Sequence, residues 1–354
     1  MKQTSKFSTF MVSVLSVVIG LIFGAIIMFA FKYDPIAGYK ALWNGAFGTS
    51  FNLGQTVRAA TPLILTGLGF SIAYTAGFFN IGLAGQALFG WLASVWVAIA
   101  MPEAPKVIVL PLAVIAGSFA GAAFAAIPGV LKAFFNTSEV IVTIMLNYVA
   151  VYVSDYIVRN ILTDQADATP YIGENAQLKV PFLTELTNNS TIHGGIFIAL
   201  AMVVIFYILM ERTQIGLELK AVGMNKFAAN YAGMNAKKNI ILAMVLSGAL
   251  AGLGGVMNGL GEFRNIFLTN GVAPAIGFDG MAVALLGGLN PIGIVLSSIL
   301  LGGLQTGKTM MSMVAKIPQE IVGIVTAAII FFVGANYVIR YFFDRSVKNV
   351  NGGE

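Results

Sequence analysis

The chain has 354 residues, of which 58% are hydrophobic and only 10% are charged. A soluble globular domain carries about 25% charged residues, so this composition excludes a soluble fold and indicates a chain dissolved in lipid. The net charge of +5 fits lysines and arginines around membrane segments better than a nucleic-acid partner, and the absence of cysteine excludes disulfides, thiolate metal sites and cysteine catalysis.

The first apolar run covers residues 7–31 and follows two lysines. It is longer than the apolar core of a signal peptide and ends without a small-residue cleavage site, so it predicts a retained membrane span. Residues 32–56 are mixed in polarity and predict a loop that has room for an interfacial helix around Trp43.

The next apolar stretch holds two spans. Between Arg58 and Glu103 lie 44 uncharged residues, which predict spans over 57–75 and 84–101. The join between them, residues 76–86, contains three glycines and two side-chain amides. It is either a tight turn at the membrane surface or a broken helix whose freed backbone and amides line a path at membrane depth. Spacing alone leaves both open.

Residues 107–131 predict the fourth span, and Glu139 opens the fifth, which covers 139–158. At four-residue spacing Glu139, Thr143 and Asn147 share one helix face. That face either caps the helix and bonds a neighbouring helix, or it lines a substrate path. Polar residues inside a membrane favour the path.

The second half of the chain has two polar loops and five spans. Residues 159–193 are predicted to lie outside the cell, and the single histidine at their end, His193, lacks the cysteines or acids of a metal site. The segment 239–260 is rich in small residues, which predicts close helix contacts. The remaining spans are predicted over 194–210, 239–260, 274–289, 291–306 and 318–338.

The polar loop 211–238 stands between two spans and holds five basic residues against two acidic ones, whereas 159–193 holds two basic and four acidic. Basic residues concentrate on the cytoplasmic side of membranes. Ten spans then place 132–138, 211–238 and both termini in the cytoplasm. The predicted fold is an all-α polytopic membrane protein with about ten transmembrane helices, some of them short or broken.

A phosphate-loop motif is rejected. Residues 302–309, GGLQTGKT, match G-x-x-x-x-G-K-[ST]. They follow a membrane span rather than a strand, and the only later aspartate that could help to hold magnesium is Asp344, in the tail. No catalytic set, paired carboxylates or cofactor fingerprint appears elsewhere. We therefore expect no catalytic residue, no metal ligand and no enzyme activity in this chain, and a driving force, if one is needed, from a separate protein.

Four stretches carry a family resemblance: AGFFNIGLAGQALFG at 76–90, GLELKAVGMNKFAANYAG at 216–233, LSGALAGLGG at 246–255 and SEVIVTIMLNYVA at 138–150. The first three resemble the permease subunits of bacterial ABC importers of the ribose/branched-chain amino acid type. The last resembles the nucleoside branch, which depends on a substrate-binding lipoprotein. The likeness covers roughly residues 55–340.

The resemblance implies a single permease domain over 1–354 in a bacterial cell membrane, with inverted-repeat architecture. The implied partners are a second homologous permease, a cytoplasmic ATP-binding protein that carries ATP and Mg²⁺, and an extracellular substrate-binding lipoprotein. The chain itself would hold no cofactor and no nucleic acid, and the substrate would be a nucleoside. The alternatives are a simple-sugar permease of the same family, a stand-alone secondary carrier or channel, and a membrane-embedded enzyme.

The resemblance also implies a coupling helix that receives the ATPase, which we place at 220–231 with an apolar stripe at helical spacing. A surface helix lying on lipid headgroups is the alternative. The predicted coupling residues are Gly216, Ala221, Gly223, Met224, Asn225, Ala228, Ala229 and Gly233. Amides can bond ribose hydroxyls and base edges without charge, and the predicted substrate-path residues are Asn80, Gln86, Thr143 and Asn147.

Overall fold

Fourteen α-helices and no β-strand make up the part of the chain that the computed structural model describes, residues 6–334. In chain order they are α1 Lys6–Ala30, α2 Pro35–Phe47, α3 Ser50–Thr75, α4 Leu83–Ala100, α5 Lys106–Phe135, α6 Glu139–Ile157, α7 Pro181–Leu186, α8 Gly195–Arg212, α9 Gln214–Met224, α10 Lys226–Tyr231, α11 Ala236–Val256, α12 Ile276–Leu286, α13 Pro291–Ala315 and α14 Gln319–Gly334. Two of them continue as π-helices, α6 over Val158–Leu162 and α11 over Met257–Glu262.

The predicted class, an all-α polytopic membrane protein, is confirmed. Seven helices are long and apolar enough to cross a membrane, namely α1, α3, α4, α5, α6, α8 and α11, the sixth and eleventh with their π-helical extensions. Two more, α12 and α14, are shorter apolar helices, and α13 has 25 residues. Each of the ten predicted spans overlaps one of these ten helices. The end of the last predicted span, 335–338, lies outside the described residues.

The segment 32–56 was predicted as a loop with room for a helix around Trp43, and the structure has that helix, although much more of the segment is helical than predicted. Helix α2 fills its first half, and α3 begins at Ser50 rather than at residue 57. The polar residues that suggested a loop are helix caps: the carboxylate of Asp34 accepts backbone hydrogen bonds at the start of α2, and the hydroxyl of Thr49 does so at the start of α3. Helix α2 packs its small residues against α13.

Helix α13 is longer than its predicted span, 291–306, and continues to Ala315. The phosphate-loop motif at 302–309 lies inside this helix. Its backbone N–H groups are therefore committed to helical hydrogen bonds and cannot cradle a phosphate. The hydroxyl of Thr306 likewise bonds back to the carbonyl oxygen of Gly302, at 3.0 Å.

The centre of the bundle is formed by α3, α4 and α11, whose spans are mostly buried, whereas α1 and α8 are mostly exposed at the periphery. Helix α11 crosses α5 so closely that a Cβ added to Gly252 would lie 3.1 Å from the Cα of Gly121. Only glycine allows this approach of two backbones. The close contacts predicted from the small residues of 239–260 are confirmed.

Candidate functional site

The linker between α3 and α4, residues 76–82, enters the bundle as a buried polar segment. The side chain of Asn80 is fully buried and fully bonded. Its Nδ2 donates to Gln86 Oε1 and to Ser247 Oγ, both at 2.9 Å. Its Oδ1 accepts from the backbone N–H of Gly82 at 3.0 Å and from Gln86 Nε2 at 3.1 Å. The linker is thereby fixed to α4 and α11.

Helix α6 adds a second clamp on the same linker. The Nδ2 of Asn147 donates to the carbonyl oxygen of Ile81 at 3.0 Å, and its Oδ1 accepts from the N–H of Gly85 at 2.9 Å. The hydroxyl of Thr143 is buried and bonds within its own helix, to the carbonyl oxygen of Glu139 at 2.7 Å. We call Asn80, Gln86, Asn147 and Ser247 the amide cluster.

The structure therefore brings the four predicted path residues together. Their polar groups are bonded to protein, and none of them lines the cavities described below. Gly77 and Phe79 are exposed at the turn after α3, whereas Asn80 is buried before α4 begins. The substrate-path role of these residues stays a prediction.

The loop 211–238 contains two helices, so the prediction of one helix over 220–231 was wrong. The chain breaks at Asn225, whose backbone is extended with φ −162° and ψ 104°. Its side-chain oxygen accepts from the N–H groups of Phe227 and Ala228 at 2.9 and 3.0 Å. Asparagine competes with the helix for its own backbone in this way, and here it starts α10 in a new direction.

The break leaves an exposed apolar surface, the junction patch. Met224 is 87% exposed, Phe227 66% and Tyr231 94%, and Ala228 is exposed among them. Phe227 was not among the predicted coupling residues. The predicted coupling residues Met224, Asn225 and Ala228 lie at this surface.

The other predicted coupling residues face inward or end the loop. Gly216 and Ala229 are buried, and Ala221 and Gly223 are half-buried. Gly233 has a φ of +83°, a left-handed value that suits glycine and that ends the segment after α10. One side of the loop is thus packed against the helix bundle, and the other side is exposed.

Polar contacts fix the inner side. The Glu218 carboxylate on α9 accepts from Asn239 Nδ2 of α11 and from Gln214 Nε2, both at 2.8 Å. The hydrogen bond from Asn239 and then that from Gln214 lower the pKa of Glu218. Lys220 pairs with Glu211 at 2.7 Å. Helix α9 is therefore attached to the membrane bundle through α11.

A large cavity opens at the opposite ends of α3 and α11. Both helices run from the loop 211–238 to this cavity, which has a volume of about 980 Å³. Its walls come from the start of α3, the end of α13, the π-helical end of α11 and the loop 263–275. Four aromatic residues line it, Phe51, Trp91, Phe263 and Phe267, and the last three pack against one another.

The cavity also holds two polar pairs. Arg58 of α3 contacts Glu262 of the α11 extension at 2.5 Å, and Gln305 of α13 donates to Asp279 of α12 at 2.9 Å. Sequence reasoning used the charged residues only to mark span boundaries, so it missed this site. Residues distant in sequence build it, and no local motif marks it.

His193 lies behind this cavity, in the segment before α8. Its ring is buried, and its Nδ1 accepts from the N–H of Gly195 at 3.2 Å. Burial, and then the charge of Arg58, lower the pKa of His193 to about 4. The ring is therefore neutral at physiological pH.

Known proteins match this chain along nearly its whole length. It is 46% identical to the guanosine ABC transporter permease protein NupP of Bacillus subtilis (strain 168), over 98% of this chain and 99% of that protein. It is 45% identical to the nucleoside ABC transporter permease protein NupB of Lactococcus lactis, over 97% and 96%. The glucose ABC transporter permease protein TsgB13 of Haloferax volcanii is 32% identical, over 94% and 88%.

Both bacteria also have a second, more distant relative. NupQ of Bacillus subtilis is a guanosine ABC transporter permease protein with 26% identity over 71% of this chain and 79% of its own length. NupC of Lactococcus lactis is a nucleoside ABC transporter permease protein with 27% identity over 69% and 77%. No solved structure matches the chain.

The family model described as branched-chain amino acid transport system / permease component matches residues 52–334. That range covers α3 to α14 and therefore contains the amide cluster, the junction patch and the cavity. The resemblance drawn from four short motifs is confirmed, and so is the multi-pass membrane location. The chain belongs to this family of ABC transporter permease components and is a transport subunit rather than an enzyme.

Proposed function

We propose that the chain forms half of the translocation path of an ABC importer for nucleosides, driven by a separate ATPase that docks on the junction patch. In this proposal 211–238 and both termini are cytoplasmic, and 159–193 is extracellular, as the distribution of basic and acidic residues favours. The membrane is the bacterial plasma membrane.

The observation that carries the proposal is the link between the two ends of the molecule. Helix α3 has 26 residues and is therefore about 39 Å long, with the cavity at its start and the loop 211–238 at its end. The amide cluster lies beside that second end. A movement of α9 would be passed directly to the end of α3 and to the linker. A pore that is driven by another protein needs such a connection between the docking surface and the path.

The junction patch suits a protein partner. Exposed aromatic and Met side chains are enriched at the centres of protein interfaces, and the patch carries two aromatic rings and one methionine. A groove of the ATPase that accepts α10 would cover Phe227 and Tyr231. ATP and Mg²⁺ would stay on that partner, and this chain would hold no cofactor.

The relatives and the cavity support a nucleoside as the substrate. NupP and NupB match 98% and 97% of this chain and are named for guanosine and nucleosides. The cavity offers flat aromatic rings and polar groups of both signs. A sugar is the second candidate, which the glucose permease TsgB13 favours at lower identity.

The remaining partners complete the complex. A second permease would supply the other half of the path, as the presence of NupQ and NupC beside NupP and NupB suggests. A substrate-binding lipoprotein would dock on the outer loops. The amide cluster would line the inner part of the path once α4, α6 and α11 separate at the linker.

Uptake competition tests the substrate. A strain that lacks this chain and other nucleoside importers is complemented with the gene, and uptake of labelled guanosine is measured with unlabelled nucleosides, ribose or glucose in excess. We expect competition by nucleosides and none by the sugars. Competition by ribose or glucose alone would contradict the nucleoside and favour the sugar permease.

A further inference from the structure

We propose that Phe263 and Phe267 form a stacking site for a nucleobase inside the large cavity, and that Asp279 accepts a hydrogen bond from the same ligand. The inference rests on the proposed function and adds to it a place in the permease where the substrate binds directly. A nucleoside has a flat base and carries N–H and O–H donors on the base edge and the ribose. A binding site therefore needs both a stacking surface and hydrogen-bond acceptors.

The aromatic group is built as a platform. The ring of Phe263 packs nearly parallel to that of Trp91, with centroids 5.1 Å apart and planes at 18°. Phe267 stands at 90° to Phe263 and at 87° to Trp91. Trp91 is only 4% exposed, whereas Phe263 and Phe267 are 36% and 37% exposed. The buried indole therefore supports two rings that are open to the cavity.

Hydrogen bonds on the side away from the cavity fix the loop 263–275, which carries the platform. Oδ1 of Asp155 on α6 accepts from the N–H and the hydroxyl of Thr269, at 2.8 and 3.0 Å. Thr169 and Ile266 exchange hydrogen bonds in both directions, at 2.9 and 3.1 Å. The indole N–H of Trp91 donates to the backbone of the loop at 2.7 Å. Rings fixed in this way lose little conformational entropy when a ligand stacks on them.

Asp279 is the acceptor left open in the cavity. Its Oδ2 takes the hydrogen bond from Gln305, while its Oδ1 receives no hydrogen bond from any residue within 6–334. The carboxylate of Glu262 is instead engaged by Arg58. A half-buried carboxylate oxygen next to empty space is suited to an N–H or O–H of a ligand.

The charges of the cavity select for a neutral ligand. Its lining contains two cations, Arg58 and Lys308, and two anions, Glu262 and Asp279. The sum is zero, and one cation is already paired with one anion. A nucleotide phosphate would add charge without a free pair of cations to receive it, so the site fits nucleosides rather than nucleotides.

Direct binding tests the inference. The native complex is purified in detergent through a tag on this chain, freed of any substrate-binding lipoprotein, and mixed with labelled guanosine in equilibrium dialysis. Base stacking on an aromatic ring contributes measurably to affinity, so we expect Phe263→Ala and Phe267→Ala each to weaken binding at least about fivefold. Phe263→Tyr keeps the ring and should stay within about threefold of wild type.

The same assay covers the polar contact and the controls. Asp279→Asn should weaken guanosine binding at least about fivefold, since it replaces a charged acceptor by a neutral one. Phe278→Ala removes an exposed ring that lies outside the cavity and should bind as wild type. Size-exclusion chromatography of each variant establishes that the complex is intact.

Failure of the stacking site can be distinguished from failure of the proposed function. Guanosine uptake in cells without binding to the stripped wild-type complex, or with equal binding by wild type and both alanine variants, would overturn the stacking site and leave the proposed function in place. Binding of ribose as tight as that of guanosine would also overturn it, because ribose has no base to stack. Absence of nucleoside uptake by wild type would overturn both.

Discussion

The backbones of Gly223 and Gly77 touch where the loop 211–238 meets the end of α3. A Cβ added to Gly77 would lie 3.1 Å from the Cα of Gly223, and a Cβ added to Gly223 would lie 3.0 Å from the N of Gly77. No side chain lies between the two backbones at this contact. Gly77 begins the linker that leads to Asn80, so we predict that a displacement of α9 is transmitted to the amide cluster through the main chain.

We predict that Gly223→Ala reduces uptake at least about tenfold while the chain still inserts. The added Cβ would overlap the carbonyl oxygen of Thr75 and lie 2.9 Å from the carbonyl carbon of Ala76, so α9 must move away from the linker. Uptake and membrane content are measured together. The control is Gly323→Ala, where an added Cβ meets no atom within 4 Å. Normal uptake by Gly223→Ala would show that this contact transmits nothing.

The junction patch gives a second prediction. Ala228→Arg places a large charged side chain between Phe227 and Tyr231, and we expect the amount of ATPase that co-purifies with the tagged chain to fall at least about tenfold, with loss of uptake. Leu186→Arg adds the same charge at an exposed apolar position of α7, at the opposite end, and should leave ATPase recovery unchanged. Equal recovery with both variants would remove the patch from the docking surface.

Asn147→Ala is predicted to destabilise the α4–α6 contact. It leaves the buried N–H of Gly85 and the partly buried carbonyl oxygen of Ile81 without this side-chain partner, which costs about 1–3 kcal/mol. A lower unfolding temperature of the detergent-purified chain is the expected result. Asn160→Ala, in the exposed π-helical extension of α6, serves as the control. If both variants unfold at the wild-type temperature, the clamp contributes no stability.

His193 predicts a dependence of stability on pH. The fold holds its pKa near 4, whereas a free histidine titrates near 6.5. The unfolded chain therefore binds more protons between these values, and stability is present above pH 6.5 and is lost as the pH falls toward 4. The loss reaches about 2 kcal/mol at pH 5. Thermal unfolding at pH 7.5 and 5 should show a smaller decrease for His193→Gln than for wild type. Equal decreases would mean that His193 is not the group that titrates.

The membrane spans could be predicted because the transfer of apolar residues into lipid dominates their energetics. About 20 consecutive apolar residues gain more from lipid than any local feature can offset, so each predicted span overlaps a helix. The small residues around Gly252 were equally informative, since few other arrangements explain them. Where polar residues only cap helices, as Asp34 and Thr49 do, the sequence looks like a loop, so the helix around Trp43 was placed within a loop and the early start of α3 was missed.

The candidate sites were predictable only in part. The amides of Asn80 and Asn147 stood out as polar groups in an apolar region, and the structure places them together. The break at Asn225 arises because its side chain accepts hydrogen bonds from backbone N–H groups in place of a continuous helix. The spacing of apolar residues does not reveal such a break. The cavity depends on Trp91, Phe263 and Asp279 meeting across three helices, and only the tertiary packing brings them together.

ATP-dependent transport by the native complex tests the central claim most directly. The complex is purified through a tag on this chain and reconstituted in liposomes with the proposed substrate-binding lipoprotein. Accumulation of labelled guanosine is then followed with ATP or with a non-hydrolysable analogue. We predict accumulation against a gradient with ATP, none with the analogue, and none for this chain reconstituted alone. Guanosine accumulation by this chain alone without ATP would contradict the account and identify a secondary carrier.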